Sequence, residues 1–266
     1  MKRFTQIFPS SKAIIGMIHI PALPGTPGGQ SATFNALTKF ALTELETLQK
    51  GGVDGVIVEN FWDLPYYPNQ VPTLTIAAMS AIIGQVVSMA SVPVGLNILY
   101  NDFKAEIAIA RAVGAGFIRA EVFVDPSLSE TGIIEPSAAS LVRERELIRA
   151  EEVAIFADVQ GKNTTPLWKR PLSESALDAE KRGQADGIII TGAGTGRPVS
   201  IQELKDLRAV VSIPLLIGSG VTTETVSDLL QHCDGAIVGS YFKKEGKIDQ
   251  PTDLDRVREL VCEVKG

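Results

Sequence analysis

The chain has 266 residues, 45% of them hydrophobic, with 31 acidic side chains against 25 basic ones and a net charge of −6. That length supports one barrel-sized domain or two small ones, and the negative surface argues against a nucleic-acid partner. The two cysteines, Cys233 and Cys262, show neither metal-ligand spacing nor a disulfide framework, so the expected setting is reduced and cytoplasmic.

The N-terminal MKRFTQIFPSSK lacks the apolar core of a signal peptide. The first apolar run, AIIGMIHI (13–20), predicts a strand ending at His19, ahead of the loop HIPALPGTPGGQS (19–31). Prolines that stiffen and glycines that bend are what a lid over a binding mouth requires, although a plain exposed loop has the same composition. Over 33–50, Phe34, Leu37, Ala41, Leu45 and Leu48 fall on one face of a helix that Gly51-Gly52 stops. GVIVEN (55–60) is the second strand and brings Glu59 and Asn60 to its end. No charge occurs from Leu64 to Asn101, but Gln85, Ser88, Ser91, Pro93 and Asn97 interrupt the stretch. It therefore predicts a buried helix and a strand over 92–99 carrying Asn97, not a transmembrane segment. FIRAEVF (117–123) carries Arg119 and Glu121, and the strand 153–159 ends at Asp158 with Gln160 and Lys162 just beyond. The runs 187–191, 213–218 and 235–239 complete eight strands, leading into TGAGTG, GSGVT and GSYFKK.

Eight apolar strands alternating with amphipathic segments predict an α/β fold, a single-domain (β/α)8 TIM barrel over residues 1–266. An open doubly wound sheet would need Gly-x-Gly-x-x-Gly after its first strand, and IPALPGTPGG is not that. Glycine-led segments at 51–61, 113–123, 183–193 and 232–242 share one plan. That fits a barrel built from βα pairs, as would similar strand environments selecting similar residues.

In such a barrel the chemistry sits at the C-terminal strand ends. His19, Glu59, Glu121 and Asp158 then form a candidate acid/base set, with Lys162 as an electrophilic helper. The same carboxylates suit a hard cation such as Mg²⁺. Each has a structural alternative: His19 as a core histidine, Glu59 and Glu121 as partners of Arg119, Asp158 as a loop-start acceptor. Asn60 and Asn97 read as orienting groups or loop caps. Gly218-Ser219-Gly220 and Gly239-Ser240 offer backbone N–H groups to a phosphate, ahead of a helix opened by Thr222-Thr223. A tight strand-to-helix turn also uses glycine there. Thr191, Gly192 and Thr195 extend this rim. With no strand lysine for a Schiff base, general acid–base chemistry on a phosphorylated small molecule is the expected activity: isomerase, lyase or hydrolase. The mixed apolar outer helices are compatible with a homo-oligomer.

GMIHIPALPGTP, GGVDGVIVENF, GLNIL, FIRAEVF, IFADVQGK, TGAGTG and GSYFKKEGKI, in this order and spacing, resemble the BtpA family over essentially the entire chain. The resemblance implies a TIM barrel, with His19, Glu59, Asn60, Asn97, Glu121, Asp158, Thr191 and Thr195 as site positions. It further implies a sugar-phosphate-like ligand and a place in carbohydrate metabolism, since relatives lie beside sugar-transport genes. The family takes its name from a cyanobacterial factor needed for photosystem I accumulation, so it also implies an alternative: a non-enzymatic assembly or stabilisation factor. Many relatives carry a DxHxKH pattern after the fifth strand, where this chain has DVQGKN, keeping Asp158 and Lys162 without a histidine.

Overall fold

The computed structural model describes residues 2–9, 12–191 and 199–266. Its strands are β1 (Ala13–His19), β2 (Gly55–Glu59), β3 (Val94–Asn97), β4 (Phe117–Ala120), β5 (Ser127–Ser129), β6 (Gly132–Ile134), β7 (Ala154–Asp158), β8 (Thr165–Pro166), β9 (Gly187–Ile190), β10 (Leu215–Ile217) and β11 (Gly235–Val238). The helices are α1 (Lys2–Ile7), α2 (Phe34–Gly51), α3 (Thr73–Met89), α4 (Phe103–Val113), α5 (Ala138–Leu147), α6 (Leu172–Lys181), α7 (Ile201–Val210), α8 (Thr223–Leu230) and α9 (Leu254–Lys265). Eight strands close in the order β1-β11-β10-β9-β7-β4-β3-β2, all parallel, into the expected (β/α)8 barrel.

The eight strands fall where the apolar runs predict them, with ragged ends. β4 stops at Ala120, so Glu121 lies just past it. The uncharged stretch divides into α3 and β3, and among the described residues no helix is long and apolar enough to cross a membrane. α2 starts under the Thr33 cap, which accepts from Ala36 N, and stops at Gly52 with φ 89°. It buries Leu37, Ala41, Leu45 and Leu48, whereas Phe34, in the first turn, stays exposed. A small antiparallel sheet, β6-β5-β8, was not legible in the sequence. Its strands have only two or three residues, too few for period-two alternation to register.

Strand alternation splits the barrel into two cores. Outward residues such as Ile14, Ile18, Val56, Val58 and Leu96 pack under the helices. Inward residues Ala13, Ile15, Met17, Ile57, Phe117, Phe156, Ile189, Leu216 and Ile237 fill the lower lumen. α1 closes that end, setting Phe4 and Phe8 against Phe156 and Phe117. The bottom of the barrel is therefore apolar, and the polar inward positions gather at the other end.

The Asp-Gly pairs inside the repeated segments explain the repeat. Asp54, Asp186 and Asp234 each accept the amide of a residue near the start of a neighbouring strand: Ile14, Ile155 and Leu215. The glycine that follows, at 55, 187 or 235, opens its own strand where a Cβ would press on lumen or backbone atoms. The repeat thus serves strand register at the N-terminal face.

Candidate active site

β1, β2 and β3 pair so that His19, Glu59 and Asn97 stand in one row. Two-residue alternation places all three inward, together with Arg119, Asp158 and the residues that follow β4 and β9. The result is a cavity of about 320 Å³ at the C-terminal mouth. It is lined by His19, Glu59, Glu121, Asp158, Lys162, Thr191, Gly218, Ser219, Gly220, Gly239 and Ser240. Most of the residues expected from sequence converge on it.

At its base the carboxylates surround a guanidinium. Arg119 donates from Nε to Asp158 Oδ2 at 2.7 Å and from Nη2 to Asp158 Oδ1 at 3.1 Å. Glu59 lies 3.8 Å and Glu121 3.9 Å from the same group. Asn97 is fully buried below the cavity and donates to both glutamates, at 2.8 Å to Glu59 and 3.0 Å to Glu121. Burial pushes the carboxyls of Glu59 and Glu121 up against the opposing pull of Arg119, and Glu121 reaches about 7. Nearby Asp158 and Glu59 add to that rise. Arg119 stays charged, because the three acids outweigh its burial.

This arrangement corrects the Mg²⁺ expectation at Glu59, Glu121 and Asp158. A fixed cation already occupies the centre of the donor set, and two of its hydrogen bonds consume both Asp158 oxygens. Among the described residues no three metal-ligating side chains are placed to hold one ion. The residues present do not fit a divalent ion.

His19 sits between the acids and the glycine loops. Its Nε2 is 3.9 Å from Glu59, its ring packs on Phe61 at 4.9 Å, and Nδ1 has no partner among the described residues. Burial, then Lys243 and Arg119, hold its pKa down to about 3, so the ring is neutral. Thr191 presents a second buried group, Oγ1, that has no partner among the described residues. Across the lumen the loop amides of Ser219, Gly220, Gly239 and Ser240 make no hydrogen bond among the described residues. Gly218 differs from its expected role: its N–H is taken by Ile190 O at 2.8 Å, and its missing side chain leaves room for Thr191. Ser219 Oγ donates to Thr191 O at 2.6 Å, tying the two loops together. Tyr241, bonded to Thr223 at 2.7 Å and covered by Arg256, anchors the next turn.

Three expectations shift. Asn60 faces away from this cavity, because it is one residue out of phase with Glu59: its Oδ1 accepts from Leu99 N and its Nδ2 donates to Asp63. Lys162 is exposed on the loop beyond β7 and reaches only the mouth. The loop at 19–31 stands beside the cavity, not over it; Leu23 is buried in the core and its amide is held by Asp63, which anchors the segment at that point. Gly192 and Thr195 lie outside the described residues. Lys243, in GSYFKK, is spent on a buried pair with Glu44 and on Thr252 at 3.1 Å. Arg119, expected only as a pairing partner, lines the cavity; its spacing of two from Glu121 puts both on one strand face. An aromatic wall, Phe61, Tyr66 and Tyr100, was not among the expected site residues, and its signal is the aromatic density just after the second and third strands.

Fold and cavity together define a (β/α)8-barrel protein whose C-terminal mouth opposes a set of backbone amides, unpaired among the described residues, to an arginine-centred acidic cluster. The chain belongs to the BtpA family, whose model matches residues 10–266. It is 36% identical over 257 residues to the photosystem I biogenesis protein BtpA of Synechocystis, covering 96% of this chain and 89% of that one. An uncharacterised mitochondrial protein of Caenorhabditis elegans is 35% identical, with 96% and 94% covered. Among solved structures, the barrel resembles thiamine phosphate pyrophosphorylase from Pyrococcus furiosus, with a TM-score of 0.59 at 15% identity and 96% of each chain covered. An archaeal fructose 1,6-bisphosphate aldolase gives 0.59 at 17% identity, covering 99% of this chain and 98% of that one. These two likenesses speak to the fold.

Proposed function

We propose that the protein is an enzyme that binds a phosphorylated small molecule of sugar-phosphate size and acts on it by general acid–base catalysis. One observation carries the reading: a single cavity holds both loop amides after β10 and β11 that are unpaired among the described residues and a carboxyl, Glu121, that titrates near neutrality. The amides of Ser219, Gly220, Gly239 and Ser240 receive the phosphate, in the region of the barrel where phosphate groups are commonly held. Glu121 gives or takes the proton, since a group with pKa near the working pH is effective in both directions. Arg119 holds negative charge that develops on the substrate, and neutral His19 and Thr191 bond its oxygens. The enzymes with similar folds support the reading, because thiamine phosphate and fructose 1,6-bisphosphate stand in their names.

A thermal-shift titration with inorganic phosphate, ribose 5-phosphate and fructose 6-phosphate tests it. A ligand at about 100 times its dissociation constant stabilises the fold by about 2.7 kcal/mol, which is roughly 5–10 °C in Tm. Ser240→Asp, which sets a carboxylate against the phosphate, removes that shift. No shift with any of the three sinks the phosphate reading.

The name of the Synechocystis relative favours a second reading, a non-enzymatic assembly or stabilisation factor. Glu121→Gln separates the two. An enzyme keeps phosphate binding and loses cellular activity in that variant, whereas a platform keeps both.

A further inference from the structure

Resting on the phosphate reading, we propose that the ligand carries an apolar group at the end remote from its phosphate, housed in a second cavity behind Tyr66 and Leu99. In the strand order of the closed barrel, the loop after β3 lies directly across the lumen from that after β10, and the loop after β2 stands beside it, three strands from β10. The ligand's far end therefore meets Phe61, Tyr66, Leu99 and Tyr100. This wall offers rings but few free polar atoms. Tyr66 donates its hydroxyl to the Phe61 carbonyl at 2.5 Å, and the Asn163 side chain lies beside the Tyr100 hydroxyl. The two rings meet edge to face at 5.0 Å. Hydroxyls on the remote end of a carbohydrate would lose water here without gaining partners.

Tyr66 and Leu99 also line a second cavity of about 480 Å³, enclosed between the 19–31 loop and the start of α3. Pro24, Pro65, Tyr67, Val71 and Leu74 give it an apolar surface. Of its three buried polar neighbours, Asn60, Asp63 and Thr75, the first two are already satisfied: Asp63 accepts from Leu23 N and from Asn60, and Asn60 accepts from Leu99 N, which leaves the Thr75 hydroxyl as the one small buried polar group beside the apolar lining. The cavity thus offers room and apolar contact, while the polar demands of the ligand are met on the other side of Tyr66 by Glu121, His19 and Thr191. The loop expected to act as a lid becomes the wall of this compartment; Gly25 packs on Leu74, where a Cβ would come within 3.1 Å of its side chain. The substrate class is then a phosphate monoester with a polar middle and an apolar end.

Calorimetric titration of the full chain with inorganic phosphate, ribose 5-phosphate and n-hexyl phosphate tests this. Each buried methylene is worth about fourfold in affinity, so hexyl phosphate is expected to bind at least about tenfold more tightly than ribose 5-phosphate. Leu74→Asp places a charge on the second cavity at a half-exposed position in the first turn of α3, where an acid suits the helix dipole and the fold is kept. It is expected to erase the hexyl advantage and leave inorganic phosphate affinity unchanged. Ribose 5-phosphate binding as well as hexyl phosphate, with inorganic phosphate still bound, overturns the apolar end and spares the phosphate reading. A hexyl advantage that survives Leu74→Asp overturns the assignment to this cavity. Failure of all three probes overturns both readings.

Discussion

Glu121 and Arg119 set the character of the mouth. The bidentate bond fixes Arg119 to Asp158 and leaves the two glutamates at the edge of its field, bridged by Asn97. Of the three acids Glu121 is the least buried, and its carboxyl titrates at about 7 against an ordinary 4.5. Between those values the folded protein holds a proton that the unfolded chain has released. Stability therefore falls as pH rises from 4.5 to 7 and levels off above. A difference of about 2.5 pH units corresponds to about 3 kcal/mol. Glu121→Gln removes this penalty, so urea unfolding at pH 8 should show the variant more stable than the parent by up to that amount, with the two converging near pH 4. Equal stability at pH 8 would mean that Glu121 is not held in its protonated form by burial. This trade of stability for a proton-holding group is what an acid–base role requires and what a passive surface does not.

At the scale of the strand, two-residue alternation made much of the site legible. His19, Glu59, Asn97, Arg119 and Asp158 are strand residues in phase with one lumen, and the apolar runs gave their ends to within one to three residues. The same rule, applied strictly, removes Asn60, which is out of phase and bonds outward to Asp63. Three-dimensional pairing was not legible. Nothing in the chain order says that Arg119 reaches Asp158, or that Lys243 is held by Glu44 across 199 residues. The repeated Asp-Gly looked like a fold signature and is one, at the opposite face. Asp186 accepts from Ile155 N at 2.9 Å and from Arg145 at 2.7 Å, and pairs with Arg3. Replacing it by alanine leaves the buried Arg145 guanidinium without its acid, which should cost about 3–5 kcal/mol. Urea unfolding measures that loss, and the phosphate-induced stabilisation should be unchanged, since Asp186 lies at the N-terminal end of β9.

Over the whole molecule the barrel separates its tasks by end. Arg119 and the acids occupy the C-terminal mouth. The N-terminal end is sealed by rings: Phe8 lies 5.5 Å from Phe117, Phe4 lies 5.8 Å from Phe156, and Phe117 and Phe156 are 5.1 Å apart. Gly95 is part of the same packing, because a Cβ there would come within 2.2 Å of the Phe117 ring. The plug keeps water from reaching the buried charges from below, so the mouth is their one contact with solvent among the described residues. Phe8 is 1% exposed and comes from outside the barrel strands. Truncating it to alanine opens a cavity under Phe117 without touching any strand pairing. A buried Phe→Ala change costs about 3–5 kcal/mol, read as a lower urea midpoint. Water entering from below would also ease the burial that lifts Glu121. The pH dependence of stability between 4.5 and 7 should then flatten in Phe8→Ala relative to the parent. A variant that is destabilised but keeps the full slope would show that the acidic cluster is insulated by the middle layer of the lumen, Met17, Ile57, Ile189 and Ile237, and not by the helix that closes the base.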